Sequence, residues 1–216
     1  MRILILTCAT GGGHLRAAAA LEKYIRETTT HEVIQMDFLK SIGKLLDKTI
    51  CDSYLFMAKK TPSLFGRLYK TTNKDNPLAD FVPRTTELLA LQLYPRLAEV
   101  APDVIISVHP FATEMISGLK ERRRITCPLI CLMTDYGVHK AWIAPNVDAY
   151  VVACDDMVND LRRLGIPKEH IYPYGIPVHD VFFDRKTRRS SSPKWTSSRK
   201  CPPCSSWPAA WASPIL

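Results

Sequence analysis

An apolar run from Arg2 to Thr7 passes through Cys8, Ala9 and Thr10 into three consecutive glycines, Gly11, Gly12 and Gly13, and then into a stretch with helical spacing. That order admits few folds. The apolar run, bounded by glycine, reads as a buried strand, and Leu15, Ala18, Ala19, Leu21 and Ile25 recur at spacings that place them on one face of a helix. Lacking β-carbons, the glycines let the backbone come close to a ligand, with the unpaired N–H groups of the helix start directed at it. An anion or a developing oxyanion is favoured at such a place. The spacing fits neither the dinucleotide G-x-G-x-x-G pattern nor the phosphate-binding P-loop, which argues against a nucleotide-binding oxidoreductase domain.

The alternation continues along the chain. His31 to Asp37, Pro102 to Val108, Thr126 to Thr134 and Asp148 to Cys154 read as further strands. Helical segments lie between them, clearest at Thr85 to Val100, where Leu88, Leu89, Leu91, Leu93, Leu97 and Val100 form a broad apolar stripe, and at Asp155 to Leu164. Strands alternating with helices predict an α/β fold, a Rossmann-like and mostly parallel sheet with helices on both faces. Ligands bind such sheets beyond the carboxyl ends of the strands. The segments Cys8 to His14, His109 to Thr113 and Asp135 to Trp142 all fall there.

Composition sets the limits. With 216 residues, 46% of them hydrophobic, the chain supports one domain of ordinary size. No apolar run approaches the ~20 residues that cross a bilayer, so a cytoplasmic or peripheral protein is expected. Cys8, Cys127, Cys131 and Cys154 sit in or beside strand-like runs without ligand spacing to a histidine, as reduced core thiols do. The formal net charge is +8, but residues 1–183 carry 22 Lys and Arg against 20 Asp and Glu, while residues 184–216 carry 7 against 1. The excess belongs to the tail. From Asp184 onward there is no glycine, yet this tail holds three of the four tryptophans and the cluster Cys201-Pro202-Pro203-Cys204. Reading from the third base of each codon across Cys201 to Ile215 permits an apolar strand followed by a glycine-rich loop. The expectation is therefore a domain over 1–183 and a tail over 184–216 that is disordered or frameshifted from near Lys186. A redox or metal pair at Cys201 and Cys204 has no second ligand pair to complete it.

Several side chains at the predicted strand ends carry chemistry. His14 stands on the first turn of a helix, where the positive end of the dipole disfavours an imidazolium and leaves a neutral ring able to accept a proton. His109 ends a strand and precedes Pro110 and Phe111. Asp135, His139 and Trp142 share one loop, a carboxylate, an imidazole and an indole suited to orienting a hydroxyl or covering an apolar acceptor. Structural alternatives stand beside each: His14 and His109 as packing or capping residues, Asp135 as a helix cap. No cluster has metal-ligand spacing. Between Ser41 and Lys74, apolar and aromatic residues interleave with lysines. Lys59, Lys60, Phe65, Arg67, Tyr69 and Lys70 suit contact with an anionic membrane surface.

Four motifs in order, Thr10-Gly11-Gly12-Gly13-His14, Ser107-Val108-His109-Pro110-Phe111, Thr134-Asp135-Tyr136-Gly137-Val138-His139 with Trp142, and Tyr174-Gly175-Ile176-Pro177-Val178, resemble the monogalactosyldiacylglycerol synthase and processive diacylglycerol glucosyltransferase family. More distantly, the layout is similar to the lipid II synthase that adds N-acetylglucosamine. The resemblance covers about residues 1–183. It implies the N-terminal, acceptor-side lobe of a two-lobed GT-B glycosyltransferase that transfers a hexose to the hydroxyl of diacylglycerol. UDP-glucose or UDP-galactose would act as co-substrate, bound by a C-terminal lobe absent from this sequence, with no other cofactor, no metal and no nucleic-acid partner. Tyr174 to Val178 would be the interlobe connection. The resemblance matches His14 to the family's glycine-loop histidine and implies a role in acceptor activation or lipid interaction. From their places at the strand ends, His14 and Asp135 are expected as the catalytic pair, and Gly11, Gly12, Gly13, His109, Pro110, Phe111, His139 and Trp142 as the substrate-binding residues. The implied place is the inner face of a bacterial plasma membrane, held peripherally. A non-catalytic membrane-binding module is the alternative for this chain taken alone.

Electrostatic attachment makes a direct prediction. Replacing Lys59, Lys60, Arg67 and Lys70 with Gln weakens co-sedimentation with anionic vesicles, by about 1 kcal/mol per charge near the surface, and added salt releases the unsubstituted protein. Binding that is unchanged at low salt rules the contact out.

Overall fold

The computed structural model describes residues 1–9, 12–43 and 77–182, with residues 77–85 described by backbone alone. The membrane-contact candidates Lys59, Lys60, Phe65, Arg67, Tyr69 and Lys70, the loop residue Gly11 and the tail 184–216 lie outside the described residues. The chain runs β1 (Arg2–Thr7), α1 (Gly12–Thr28), β2 (Glu32–Asp37), α2 (Phe38–Ile42), α3 (Pro77–Val100), β3 (Val104–Ser107), α4 (Pro110–Glu121), β4 (Leu129–Leu132), β5 (Ala149–Val151), α5 (Asp155–Arg163) and β6 (Ile171–Tyr172). Short 3₁₀ turns occupy Lys140–Trp142, Lys168–His170 and Asp180–Phe182.

Among the described residues the strands form one six-stranded sheet in the order β2-β1-β3-β4-β5-β6, with every neighbouring pair parallel. Parallel strands must be joined by crossovers that lie over the sheet, so both faces are covered and central strands read as continuous apolar runs. β1 obeys this. Ile3 and Ile5 join a cluster with Ala18 and Ile25 of α1, and with Val33, Ile106, Val108 and Leu132. The alternate residues Leu4 and Leu6 point to the other face, into a larger core with Phe38 and Leu39 of α2, Leu93 and Leu97 of α3, and Met115, Ile116 and Leu119 of α4. The helices on both faces predicted from the alternation are present.

Local signals fix the ends of the elements. Asp37 closes β2 and caps α2, its carboxylate accepting from the Lys40 N–H at 3.2 Å. At the end of α5 the Gly165 N–H reaches the Arg162 carbonyl at 3.0 Å and the Ile166 N–H reaches the Leu161 carbonyl at 3.1 Å. This paired closure needs a left-handed residue, which Gly165 supplies at φ 90°. The strands are shorter than the apolar runs that announced them, because flanking residues such as Val108 and Met133 continue the core without full ladder pairing. β6 is an additional strand of two residues, too brief to leave a periodic signal.

Two predicted helix faces are corrected in detail. On α1, Ala17, Ala18 and Ala20 are buried with Ile25, while Ala19 faces solvent. On α3 the stripe keeps Leu93 and Leu97 fully buried with Ala90, and Leu89 and Val100 partly buried against the core, but loses Leu88, 64% exposed, and Leu91, 40% exposed. The narrowing predicts that Leu93→Ala, which empties a fully buried site, costs about 2–5 kcal/mol in denaturant unfolding, whereas Leu88→Ala stays within about 0.5 kcal/mol of the parent. Equal losses from the two variants would contradict this packing.

Candidate active site at the strand carboxyl ends

From β1 the chain passes to β2 on one side and later returns to β3 on the other. The connections leaving β1 and β3 lie on opposite faces of the sheet, so a crevice opens between their carboxyl ends, the usual ligand position in open parallel sheets. The start of α1 with Gly12, Gly13 and His14, the start of α4 with His109 to Phe111, and the segment Thr134 to Trp142 meet at this edge. Gly13 is exposed, and a β-carbon built on it meets nothing within 4 Å, so the glycine is not demanded by protein packing.

His14, on the first turn of α1, leans across the crevice. Its Nδ1 lies 2.7 Å from the carbonyl oxygen of Val108 and 2.9 Å from the hydroxyl oxygen of Thr134. A carbonyl oxygen only accepts, so Nδ1 carries the proton, and in the neutral ring Nε2 holds the free lone pair. Burial holds the His14 pKa below its ordinary value; the Asp135 carboxylate and the Val108 carbonyl pull the other way but do not prevail. Burial of the ring, rather than the helix dipole, is the main cause that favours the neutral form.

His109 lies beside it, ring centroids 4.7 Å apart. It is 5% exposed and is the N-cap of α4, its Nδ1 accepting from the Phe111 N–H at 3.2 Å with Pro110 at the first helical position. Desolvation first, and the nearby His14 second, hold its pKa well below the usual range. Phe38 of α2 and Phe111 flank its ring, each with centroids at 5.4 Å. Phe111 remains 44% exposed and Tyr136 76% exposed, so apolar surface faces outward at this edge.

The third loop divides its labour. Asp135 accepts a hydrogen bond from the Trp142 indole N–H at 2.9 Å, which orients the carboxylate whose charge is felt at His14. Trp142 is 2% exposed, with its ring centroid 6.1 Å from that of His14. His139, also buried, caps the 3₁₀ turn by accepting from the Ala141 N–H at 3.1 Å. The structure therefore gathers His14, His109, Asp135 and Trp142 around one crevice and gives His109 and His139 local capping bonds. The sequence reading passed over Thr134, Phe38 and the Val108 carbonyl. Thr134 was within reach of the same strand-end reasoning that singled out its neighbour Asp135; a backbone carbonyl leaves no residue-type signal.

A six-stranded parallel sheet with helices on both faces and a crevice at its switch point defines the class as a Rossmann-like α/β protein. The sequence pattern of the monogalactosyldiacylglycerol (MGDG) synthase family matches residues 14–178, and the chain belongs to that family. It is similar to the processive diacylglycerol beta-glucosyltransferases of Bacillus thuringiensis (strain Al Hakam) and Bacillus cereus (strain AH187), 31% identical to each over 190 residues, covering 84% of this chain and 46% of the relative. The chain thus spans about half the length of these relatives. Among solved structures it is similar to the apo form of the lipopolysaccharide outer core galactosyltransferase WaaB, at 12% identity and a TM-score of 0.46, covering 79% of this chain and 44% of that one.

The buried histidines make stability depend on pH. A buried neutral His109 binds no proton where the unfolded chain does, so the unfolded state gains protons as pH falls below the ordinary histidine value, and native stability declines with it. The slope contributed by one such group is at most about 1.4 kcal/mol per pH unit. His109→Asn keeps a capping oxygen but does not titrate. Its urea stability should fall less steeply than the parent's between neutral and mildly acidic pH, and parallel slopes would contradict the assignment.

Proposed function

We propose that this chain is the acceptor-side half of a membrane-surface glycosyltransferase that moves a hexose from a UDP-sugar to the hydroxyl of diacylglycerol. The observation that carries the reading is the His14 ring, desolvated and with Nδ1 turned to Val108, which leaves Nε2 as a proton acceptor in the crevice. The family membership and the names of the Bacillus relatives support diacylglycerol as the acceptor.

In the proposed step the acceptor oxygen attacks the anomeric carbon while the bond from that carbon to the diphosphate oxygen breaks. His14 Nε2 takes the hydroxyl proton, and UDP departs with the bonding electrons. Asp135 stabilises the imidazolium that results, held in place by the Trp142 N–H. Phe111 and Tyr136 offer apolar surface to the acyl side of the acceptor. Gly12 and Gly13 let the acceptor glycerol approach the backbone. The departing diphosphate requires donors that a second, donor-binding lobe would supply, completing a GT-B cleft. The lysine-rich segment before residue 77 would hold this half peripherally at the inner face of the plasma membrane.

The test joins this half to the donor-binding half of a full-length relative. There, His14→Ala lowers kcat for transfer to diacylglycerol by ~100 to 10,000-fold, as loss of a general base does, while UDP binding is kept. Near-normal turnover would overturn the role, and a raised KM with kcat unchanged would reassign His14 to acceptor binding.

A further inference from the structure

Val108 and Thr134 reach His14 from two neighbouring strands. β3 and β4 are paired in parallel, Ser107 opposite Cys131, and each strand is prolonged past its last ladder residue into the crevice. The Val108 N–H donates to the Leu6 carbonyl at 3.0 Å, which anchors Val108 on β1, and the carbonyl of the next peptide unit meets the His14 ring. A single hydrogen bond leaves an imidazole free to swing about it. The Thr134 hydroxyl, 2.9 Å from the same nitrogen, supplies a second point of attachment.

The direction of that second bond follows from the first. If Thr134 donated its proton to Nδ1, a bare nitrogen lone pair would face the Val108 carbonyl lone pair at 2.7 Å, a repulsive contact. The Thr134 oxygen must therefore accept, sharing the Nδ1 proton with Val108. We infer that Thr134 is a positioning residue for His14, whose hydroxyl oxygen, with the Val108 carbonyl, locks the ring in the orientation and tautomer that leave Nε2 open to an acceptor hydroxyl.

The assignment rests on the proposed role of His14 as base and deepens it. When Nε2 takes a proton, the imidazolium keeps both oxygen acceptors and faces the Asp135 carboxylate. A hydrogen bond from a charged ring is stronger than one from a neutral ring, so the Thr134 oxygen favours the charged form. The other titratable group facing the ring among the described residues is His109, held neutral by its own burial. Of the two anchors only Thr134 is a side chain, so substitution removes it without disturbing the strand.

The experiment is nitrogen-15 NMR of histidine-labelled protein, using the full 216-residue chain. In the parent at neutral pH, His14 shows a protonated Nδ1 and a bare Nε2. In Thr134→Val it titrates at lower pH and loses its single tautomer, and Thr134→Ser restores both properties. Thr134→Ala, which adds no bulk, serves if the valine variant does not fold. A parent ring protonated on Nε2, or a titration and tautomer that the valine or alanine variant leaves unchanged, overturns the inference.

In the two-lobed enzyme, Thr134→Val lowers kcat about 10-fold with KM retained, and serine recovers the loss, the scale of one hydrogen bond to a charged group. The two ideas fail separately. Full turnover by His14→Ala sinks the base while the NMR result upholds the lock, whereas a tautomer and titration unchanged in Thr134→Val sink the lock while kinetics still judge the base.

Discussion

Everything at the functional edge depends on the pairing of β1 with β3. The ladder from Ile3–Val104 to Leu6–Ser107 does not stop at the last strand residue, because the Val108 N–H donates to the Leu6 carbonyl. That bond holds the nitrogen side of Val108 against β1, and the following peptide unit presents the Val108 carbonyl to His14. The sheet order places β2 on the far side of β1, so the covering helices diverge at this junction and the edge is left open. A core requirement, satisfying backbone groups in a parallel sheet buried on both faces, thereby delivers an oriented imidazole to a solvent-facing crevice.

The crevice combines two environments that oppose one another. Burial disfavours charge on His14 and His109, while the Asp135 carboxylate and the Val108 carbonyl favour it at His14. The two histidines are close neighbours with different fates. His109 accepts through Nδ1 at the start of α4 and is held neutral by burial, whereas His14 donates through Nδ1 and so carries its lone pair on Nε2. On the proposed reading, that asymmetry lets one of two adjacent imidazoles serve as the base. It also explains why the carboxylate sits on a third loop, held from below by the buried indole of Trp142.

Much of this architecture is legible in the sequence because parallel sheets write themselves as long apolar runs. Leu4, Ile5 and Leu6 are buried whichever face they address, so β1 is visible without any knowledge of its partners. The position of His14 follows from three glycines after such a run. What the sequence concealed falls into kinds. Strand order depends on nonlocal pairing that no local pattern encodes, and β6 is too short for a period. The face of α3 was overestimated because six apolar positions crowd one helix and only packing decides that Leu93 is inside and Leu88 outside. The ring contact of Phe38 with His109 joins distant segments, and the Val108 carbonyl belongs to the backbone. Asp135 was visible as a carboxylate at a strand end, but its tie to Trp142, seven residues on, required the turn at Lys140–Trp142.

On the proposed reading, the chain receives the lipid acceptor at the carboxyl edge of its sheet. Photolabelling answers it most directly: a diazirine-bearing diacylglycerol in anionic vesicles is irradiated with the protein, and the modified residues are mapped by mass spectrometry. The account predicts labels concentrated on the segments around His14, Phe111 and Tyr136, reduced by competing unlabelled diacylglycerol. Labels concentrated instead at the opposite edge, in the groove of about 180 Å³ lined by Tyr94, Arg124 and Cys127, or labelling that competitor does not reduce, would contradict it.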